Sequence, residues 1–285
     1  MCDRPGRSGR WYWLDPAGRT PPCGNRGAEN GRGCCAGGDG LRHAGTLQPP
    51  GKTPPCAEAL VSAGVDRVVI ATGDPDERVS GRGIKMLRDA GIEVETGLLA
   101  EEARRMNAGF LSRITAGRSF VTLKLAITID GRIAAHNGRS KWITGPDARH
   151  AAHMMRAEHD AIAVGIGTVL ADDPDLTCRI PGLEDRSPQR IVFDSGSRLP
   201  ADARLRDVSR VPTLVLTTTD IPSEDGKEGP EFCTVSANAD GNGISISAAL
   251  TLLAERGITR LMVEGGAGLA TSFLKAGLVD ELAVF

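Results

Sequence analysis

The chain has 285 residues, of which 40% are hydrophobic and 25% charged, with a net charge of −2 and seven cysteines. The length is sufficient for two ordinary domains, and the small net charge argues against a polycation that binds nucleic acid or membranes. No apolar run reaches the roughly 18 residues of a membrane span. The start of the chain lacks the apolar core of a signal peptide, and the irregular cysteines are untypical of a secreted disulfide framework. We therefore expect a cytoplasmic protein.

The first fifty residues differ in composition from the rest. Residues 1–52 contain 12 of the 36 glycines, and all but one of their eight basic residues are arginine. Neither the helical nor the strand periodicity persists there for more than a few positions. We expect residues 1–50 to be disordered, because they bury too little apolar surface to offset the entropy lost on ordering.

From Pro54 onward the chain has the pattern of an α/β protein. Helices are predicted at 57–65, 84–91 and 99–110, strands at 67–72 and 92–96, and a loop at 73–83. Strands that alternate with helices predict a parallel sheet with right-handed crossovers. Residues 111–118 are predicted to form a linker.

A second α/β unit follows this linker. Strands are predicted at 119–128, 161–165, 189–195, 213–219, 259–265 and 280–285, and helices at 145–159, 244–257 and 268–277. The helix at 145 begins with Pro and Asp, which suit a first helical turn.

The segment VEGGAG, residues 263–268, connects a predicted strand to a predicted helix. Glycines at such a turn let backbone N–H groups approach an anion, and the helix N-terminus adds positive potential. This pattern is typical of a dinucleotide or sugar-phosphate site. The alternative is a tight strand–helix turn that binds nothing.

Three further features carry candidate site residues. Lys124 lies among apolar neighbours on a strand, where it is either functional or an edge lysine whose ammonium reaches solvent. SKWIT, residues 140–144, contains a Trp that either stacks on a ligand or belongs to the core. The predicted loop GTVLADDPDLTCR, residues 167–179, combines carboxylates that suit ribose hydroxyls with an Arg that suits phosphate. The alternative for this loop is a solvated acidic turn.

Long strings of the sequence resemble one known family. SFVTLKLAITIDGR, SKWITGPDARHAAHMMRAEHDAIAVGIGTVLADDPDLTCR, RIVFDS and VEGGAGLATSFLKAGLVDEL resemble, in order, the reductase domain of the bifunctional riboflavin-biosynthesis deaminase–reductases. TPPCAEALVSAGV and the residues after it, to about 110, resemble the second half of that family's zinc deaminase domain. The resemblance covers about residues 51–285.

The resemblance implies a fold and an activity. It divides the chain into an aberrant segment 1–50, half of a cytidine-deaminase-like domain at 51–112, and a dihydrofolate-reductase-like domain at 119–285. The deaminase acts on a phosphoribosylated diaminopyrimidine, and the reductase then uses NADPH to convert the ribosyl group of the product to its ribityl form. Hydride passes to the sugar C1 in a ring-opened, imine-like form. The implied partner is this small molecule, with no nucleic acid or membrane, and homo-oligomer formation stays open.

The resemblance also assigns site residues by position. The catalytic candidates are Lys124, which would polarise the C1 end, and Asp172. The residues that would contact NADPH are Ala126, Trp142, Thr168, Asp172, Ser195, Gly265, Gly266 and Gly268. The residues that would contact the substrate and its phosphate are Ser140, Arg156, Leu176, Arg179 and Glu264.

The zinc site that the resemblance implies is incomplete in this sequence. The family's site needs a His-Ala-Glu segment, a Pro-Cys and a Pro-Pro-Cys, in which His and two Cys bind zinc and Glu transfers protons. Only Cys56 fits, since His43 is followed by Ala44 and Gly45. As written, the deaminase site is broken.

A shifted reading frame would account for the missing ligands. Codons that encode Gly40 to Pro50 can be chosen so that the same bases, read one position later, encode AYVTLEPCNH, which contains the first zinc Cys. In the same way, Arg19 to Glu29 can be shifted to GRPHAETVAL, which contains the His-Ala-Glu segment. We therefore expect that residues 2–50 are an out-of-frame translation, with one base lost near Pro50–Gly51. We also expect the chain to stop before the further strands that close the family's reductase sheet.

Two other hypotheses compete with this one. The Gly/Arg-rich, aromatic start could be an RNA-binding arm, in which Cys23, Cys34, Cys35, His43 and Cys56 form a small zinc module, although their spacing is irregular. Alternatively, the chain is a catalytically inactive remnant that still binds nucleotide. The first predicts salt-dependent RNA binding, and the second predicts NADPH binding without turnover.

Overall fold

The structure, a computed structural model, describes residues 39–42, 56–73, 81–134, 136, 143–220 and 229–285. The chain divides into two units between Ala116 and Gly117. None of the described helices is long and apolar enough to cross a bilayer.

The first unit contains a three-stranded parallel sheet. Its strands, in spatial order, are β1 (Asp39–Arg42), β2 (Arg67–Ile70) and β3 (Glu93–Thr96). Its helices are α1 (Cys56–Ser62), α2 (Arg82–Asp89), α3 (Ala100–Met106) and α4 (Ala108–Ala116). Val68 and Ile70 of β2 and Leu87 of α2 lie in its apolar core. The continuous apolar run of β2 is buried, as is typical of a strand in a parallel sheet.

Two features of this unit differ from the sequence predictions. The expected linker at 111–118 is helical to Ala116, and the helix predicted at 99–110 ends at Met106, where the Asn107 side chain donates to the Ala103 carbonyl at 2.8 Å. Asn competes locally for helix carbonyls, which favours an end at this position. The strand Asp39–Arg42 is an exception to the disorder expected for 1–50, and the rest of that segment lies outside the described residues.

The second unit contains a seven-stranded sheet in which all neighbouring strands are parallel. Its strands are β4 (Phe120–Leu125), β5 (Ala161–Gly165), β6 (Gln189–Phe193), β7 (Thr213–Thr217), β8 (Glu231–Thr234), β9 (Arg260–Glu264) and β10 (Glu281–Val284). The spatial order is β10-β4-β9-β5-β6-β7-β8. Its helices are α5 (Pro146–Glu158), α6 (Ile166–Asp172), α7 (Ile246–Glu255) and α8 (Ala267–Lys275), with 3₁₀ turns at Glu184–Arg186 and Arg204–Arg206.

Apolar layers cover both faces of this sheet. One layer joins Leu123 and Val263 of the sheet to Leu250 on α7 and Phe273 on α8. The other joins Ile162 and Val164 of β5 to Val169 on α6 and to the segment that follows it. Because both faces are buried, the central strands are apolar at nearly every position, as the run AIAVG of β5 shows.

The predicted elements of this unit are confirmed in order and type, and the structure contains two further elements, α6 and β8. Residues 167–179, expected as a loop, begin within α6, which ends at Asp172. The strand β8 was not predicted, because Glu231–Thr234 is short and only partly buried.

Candidate active site

The ends of β4 and β9 bring two predicted site residues together. These neighbouring parallel strands pair Lys124 directly with Glu264. The carboxyl ends of parallel strands share one edge of the sheet, which is where α/β proteins place their ligands. Lys124 and Glu264 are therefore neighbours although 140 positions separate them in sequence.

Glu264 is the centre of a buried charged network. Its Oε2 accepts hydrogen bonds from Arg156 Nε at 3.0 Å and Nη2 at 2.8 Å, and its Oε1 accepts one from Lys124 Nζ at 3.3 Å. The side chains of Lys124, Arg156 and Glu264 are 14%, 12% and 16% exposed. With two cations around one carboxylate, the network carries an excess positive charge that suits an anionic ligand.

This environment stabilises the ionised form of Glu264. Burial alone would raise the pKa of the carboxyl, but the charges of Arg156 and Lys124 outweigh it, and the pKa lies below its ordinary value. Glu264 is therefore a carboxylate that holds two cations in position.

Arg156 also connects helix α5 to the loop after α6. Its Nη1 donates to the Thr177 carbonyl at 2.9 Å. The neighbouring Leu176 is buried with a φ of 56°, an unusual left-handed conformation for leucine that turns the chain sharply. The turn brings Arg179 to the same side as α5, where its backbone N and guanidinium contact His153.

The glycine turn after β9 lies too close to Thr168 to accommodate a side chain. Gly265 and Gly266 have φ values of 86° and 75°, and Gly266 precedes α8. A Cβ on Gly266 would lie 2.8 Å from Thr168 Oγ1, and one on Gly265 would lie 3.3 Å from Thr168 Cγ2. The turn therefore requires glycine, and it places Thr168 of α6 against the N-terminus of α8.

The remaining predicted site residues follow other strands of this sheet, lie on α6 or α8, or fall outside the described part of the chain. Ala126 follows β4 and is half-buried, and Ser195 follows β6, two strands from β9. Asp172 is the exposed last residue of α6. Ser140 and Trp142 lie outside the described residues.

His153 is a further candidate for the site that the sequence does not predict. It lies on α5 three positions before Arg156, so both side chains project from the same face of the helix. That spacing is the signal that could have identified it.

In the described part of the first unit, the one candidate metal ligand predicted from the sequence is Cys56, the half-buried first residue of α1. Throughout the part of the chain that the structure describes, no three His, Cys, Asp or Glu side chains are grouped as metal ligands. Cys23, Cys34, Cys35 and His43 of the alternative zinc module lie outside that part.

The second unit thus defines a class: a parallel α/β protein with a charged site and a glycine turn at the carboxyl edge of its sheet. A family model described as the RibD C-terminal domain matches residues 119–285, more than half of the chain. The chain belongs to the RibD family, which confirms the resemblance found in the sequence.

Curated relatives match over most of this chain but only part of their own length. The riboflavin biosynthesis protein RibD of Aquifex aeolicus is 40% identical over 230 residues, which cover 80% of this chain and 63% of that protein. The RibD proteins of Bacillus amyloliquefaciens and Escherichia coli are 43% and 39% identical, over 79% and 80% of this chain and 61% and 64% of their own. The chain thus spans less than two thirds of these relatives.

Two solved structures have a similar fold. A diaminohydroxyphosphoribosylaminopyrimidine deaminase/5-amino-6-(5-phosphoribosylamino)uracil reductase from Thermotoga maritima has a TM-score of 0.73 and 35% identity, covering 85% of this chain and 65% of that one. RibD of Acinetobacter baumannii has a TM-score of 0.74 and 35% identity, covering 85% and 66%. Since 85% of the chain is longer than residues 119–285 alone, these matches extend into the first unit.

Proposed function

We propose that this chain reduces the ribosyl group of 5-amino-6-(5-phosphoribosylamino)uracil to the ribityl form with NADPH. One observation carries the proposal: Lys124, Arg156 and Glu264 form one buried network at the sheet edge of a RibD-family domain. The name of the Thermotoga maritima protein, which includes this reductase activity, supports the choice of substrate.

The glycine turn fits a phosphate group of NADPH. Gly265 and Gly266 let the backbone turn with positive φ close to Thr168, and the start of α8 offers backbone N–H groups and the positive end of a helix dipole to an anion. Gly268 in the first turn, Thr168 and Asp172 on α6, Ala126 after β4 and Ser195 after β6 would hold the rest of the cofactor, together with Trp142. NADPH supplies the hydride.

The charged network would bind and orient the substrate. Arg156 and Arg179 are suited to its phosphate, because a guanidinium donates two parallel hydrogen bonds to phosphate oxygens. The Lys124 ammonium, held by Glu264, would polarise the C1 end of the sugar. Leu176 and Ser140 would complete the substrate contacts, and the buried surroundings of Glu264 strengthen each charged contact relative to water.

We further propose that the first unit is half of a deaminase-like domain that does not bind catalytic zinc. The matches that extend into this unit support the relationship. Cys56 alone fits the ligand set, and one thiolate cannot fill a tetrahedral zinc site. The residues present therefore do not suit zinc, and we assign no deamination step to this chain.

A direct assay tests the reductase proposal. The purified chain is incubated with NADPH and 5-amino-6-(5-phosphoribosylamino)uracil, and NADPH absorbance and product mass are followed. We expect loss of absorbance and a product two hydrogens heavier. NADPH binding without turnover would instead identify an inactive remnant, and a chain that binds neither compound would contradict the proposal.

A further inference from the structure

The loop Thr177–Arg179 is attached to helix α5 through His153. His153 Nδ1 lies 3.3 Å from the Arg179 backbone N, and His153 Nε2 lies 3.4 Å from both Nε and Nη2 of Arg179. The His153 carbonyl is 3.5 Å from Cys178 Sγ. His153 thus contacts both the backbone and the side chain of Arg179.

Arg179 has few other constraints on its side chain. The residue is exposed, and among the described residues no carboxylate lies within ion-pair distance of its guanidinium. A long exposed arginine loses considerable rotamer entropy when it is fixed in one conformation. The contact with the His153 ring restricts the Arg179 side chain in the free protein. Less rotamer entropy is therefore lost when a ligand binds.

We propose that His153 is a positioning residue that orients Arg179 toward the phosphate of the substrate. The inference rests on the proposed function, in which Arg179 binds that phosphate. It adds a residue on α5 that does not itself touch the ligand.

His153 can orient Arg179 only as neutral imidazole. All groups of Arg179 that face the ring are N–H donors, so a ring nitrogen must accept, and an imidazolium has no free lone pair. A neutral imidazole has one acceptor nitrogen. In the tautomer that orients the Arg179 side chain, Nε2 accepts from the guanidinium and Nδ1 carries the proton, so the backbone N–H of Arg179 beside Nδ1 then makes no hydrogen bond to the ring.

The surroundings favour this neutral form. Burial, and then the charges of Arg156 and Arg179, lower the pKa of His153, while Glu264 and the Thr177 carbonyl act in the opposite direction. The 3₁₀ turn Glu184–Arg186 also packs on α5 and carries further charges of both signs. Around neutral pH the ring is therefore an acceptor.

Equilibrium binding separates this proposal from a purely structural role. The dissociation constant of 5-amino-6-(5-phosphoribosylamino)uracil is measured by calorimetry without NADPH, so no turnover is needed. We expect His153→Ala to weaken binding about tenfold, the effect of one lost hydrogen bond. His153→Gln, whose amide oxygen can also accept, should restore most of the affinity, and NADPH affinity should stay unchanged.

A double-mutant cycle tests whether the effect passes through Arg179. If His153→Ala weakens binding equally with and without Arg179→Ala, the positioning role is wrong. If Arg179→Ala weakens binding and His153→Ala does not, the positioning role of His153 is wrong, and the assignment of Arg179 to the substrate phosphate stands. If Arg179→Ala has no effect, the assignment of Arg179 to the substrate phosphate fails, and the inference with it.

The pH dependence provides a second test that does not require the alanine variant. As the pH falls through the His153 pKa, the wild type loses its acceptor but His153→Gln does not. Protonation of the substrate phosphate affects both proteins equally. The wild type should therefore lose at least about threefold more affinity on acidification than His153→Gln, and equal losses would overturn the proposal.

Discussion

Glu264 shows how one carboxylate organises the site. It is the shared partner of Arg156 and Lys124, which come from different elements. Removal of one member of a buried charged group leaves the others uncompensated, which costs far more than loss of an exposed pair. Stability and site geometry therefore both depend on this residue.

We expect Glu264→Gln to destabilise the protein at neutral pH by about 3 kcal/mol. The folded pKa of Glu264 is below its ordinary value of 4.5, so its stabilising effect is complete above that value. The effect is lost as the pH falls through the lower folded pKa. Urea unfolding of both proteins should therefore show a difference at pH 7 that shrinks in acid, and a difference that grows in acid would contradict the assignment.

Gly266 provides a second prediction at this scale. An alanine there would bring its Cβ within 2.8 Å of Thr168 Oγ1 at a φ of 75°, and such strain costs about 1–3 kcal/mol. We expect Gly266→Ala to lower the midpoint of urea unfolding and to weaken NADPH binding measured by fluorescence.

Gly268→Ala is the matched stability control for Gly266→Ala. Gly268 lies in the first turn of α8, and a Cβ there would meet nothing within 4 Å. Alanine favours helix over glycine, so this substitution should not destabilise the protein. Equal losses from both substitutions would contradict the role of the close approach to Thr168.

At the scale of elements, the strand β10 is joined to the sheet at its start. Arg118 donates two hydrogen bonds of 2.6 Å to the two carboxylate oxygens of Asp280, and Val121 N donates to the same carboxylate at 2.8 Å. The two side chains are only 22% and 19% exposed. This bidentate contact fixes the chain just before β10 pairs with β4.

We expect Asp280→Asn to destabilise the protein by about 1–2 kcal/mol, because a bidentate charge-assisted contact and a backbone acceptor are weakened together. Backbone amides of β10 should also exchange faster with solvent. Hydrogen exchange and urea unfolding measure the two effects. Asp130→Asn, which removes the exposed pair with Arg132, is the control and should change neither.

At the scale of the whole molecule, the two units differ in how much of their site chemistry they contain. The second unit matches a RibD domain over residues 119–285 and brings its predicted charged residues together. The first unit retains a parallel sheet but only one of the expected zinc ligands, Cys56. We therefore propose that the chain is a reductase attached to an incomplete deaminase-like unit.

We propose that this difference arises in the reading frame of residues 2–50. The proposal rests on the shifted readings of Gly40 to Pro50 and Arg19 to Glu29, which restore the zinc ligands that the family's deaminase needs. Resequencing the source DNA should reveal one additional base near the codons for Pro50–Gly51. An unchanged sequence would mean that the segment is genuine, and its binding to RNA and zinc would then be tested.

The sequence by itself was sufficient for the order and type of most elements, because buried parallel strands are continuous apolar runs and helix ends carry local signals. It also located the turn at Gly265–Gly266, since the need for glycine is local. The missed elements, β8 and α6, are short, and short segments carry little periodic signal. The family resemblance then predicts which residues belong to the site.

Only the tertiary structure decided which of those residues meet. Lys124 and Arg156 lie 140 and 108 positions from Glu264, and their contact depends on the placement of β9 between β4 and β5. His153 lies 26 positions from Arg179, and the turn at Leu176 brings these two residues together. Local patterns specify helices and strands, whereas the order of strands in a sheet is set by packing of the whole chain, so the charged network was visible only in the fold.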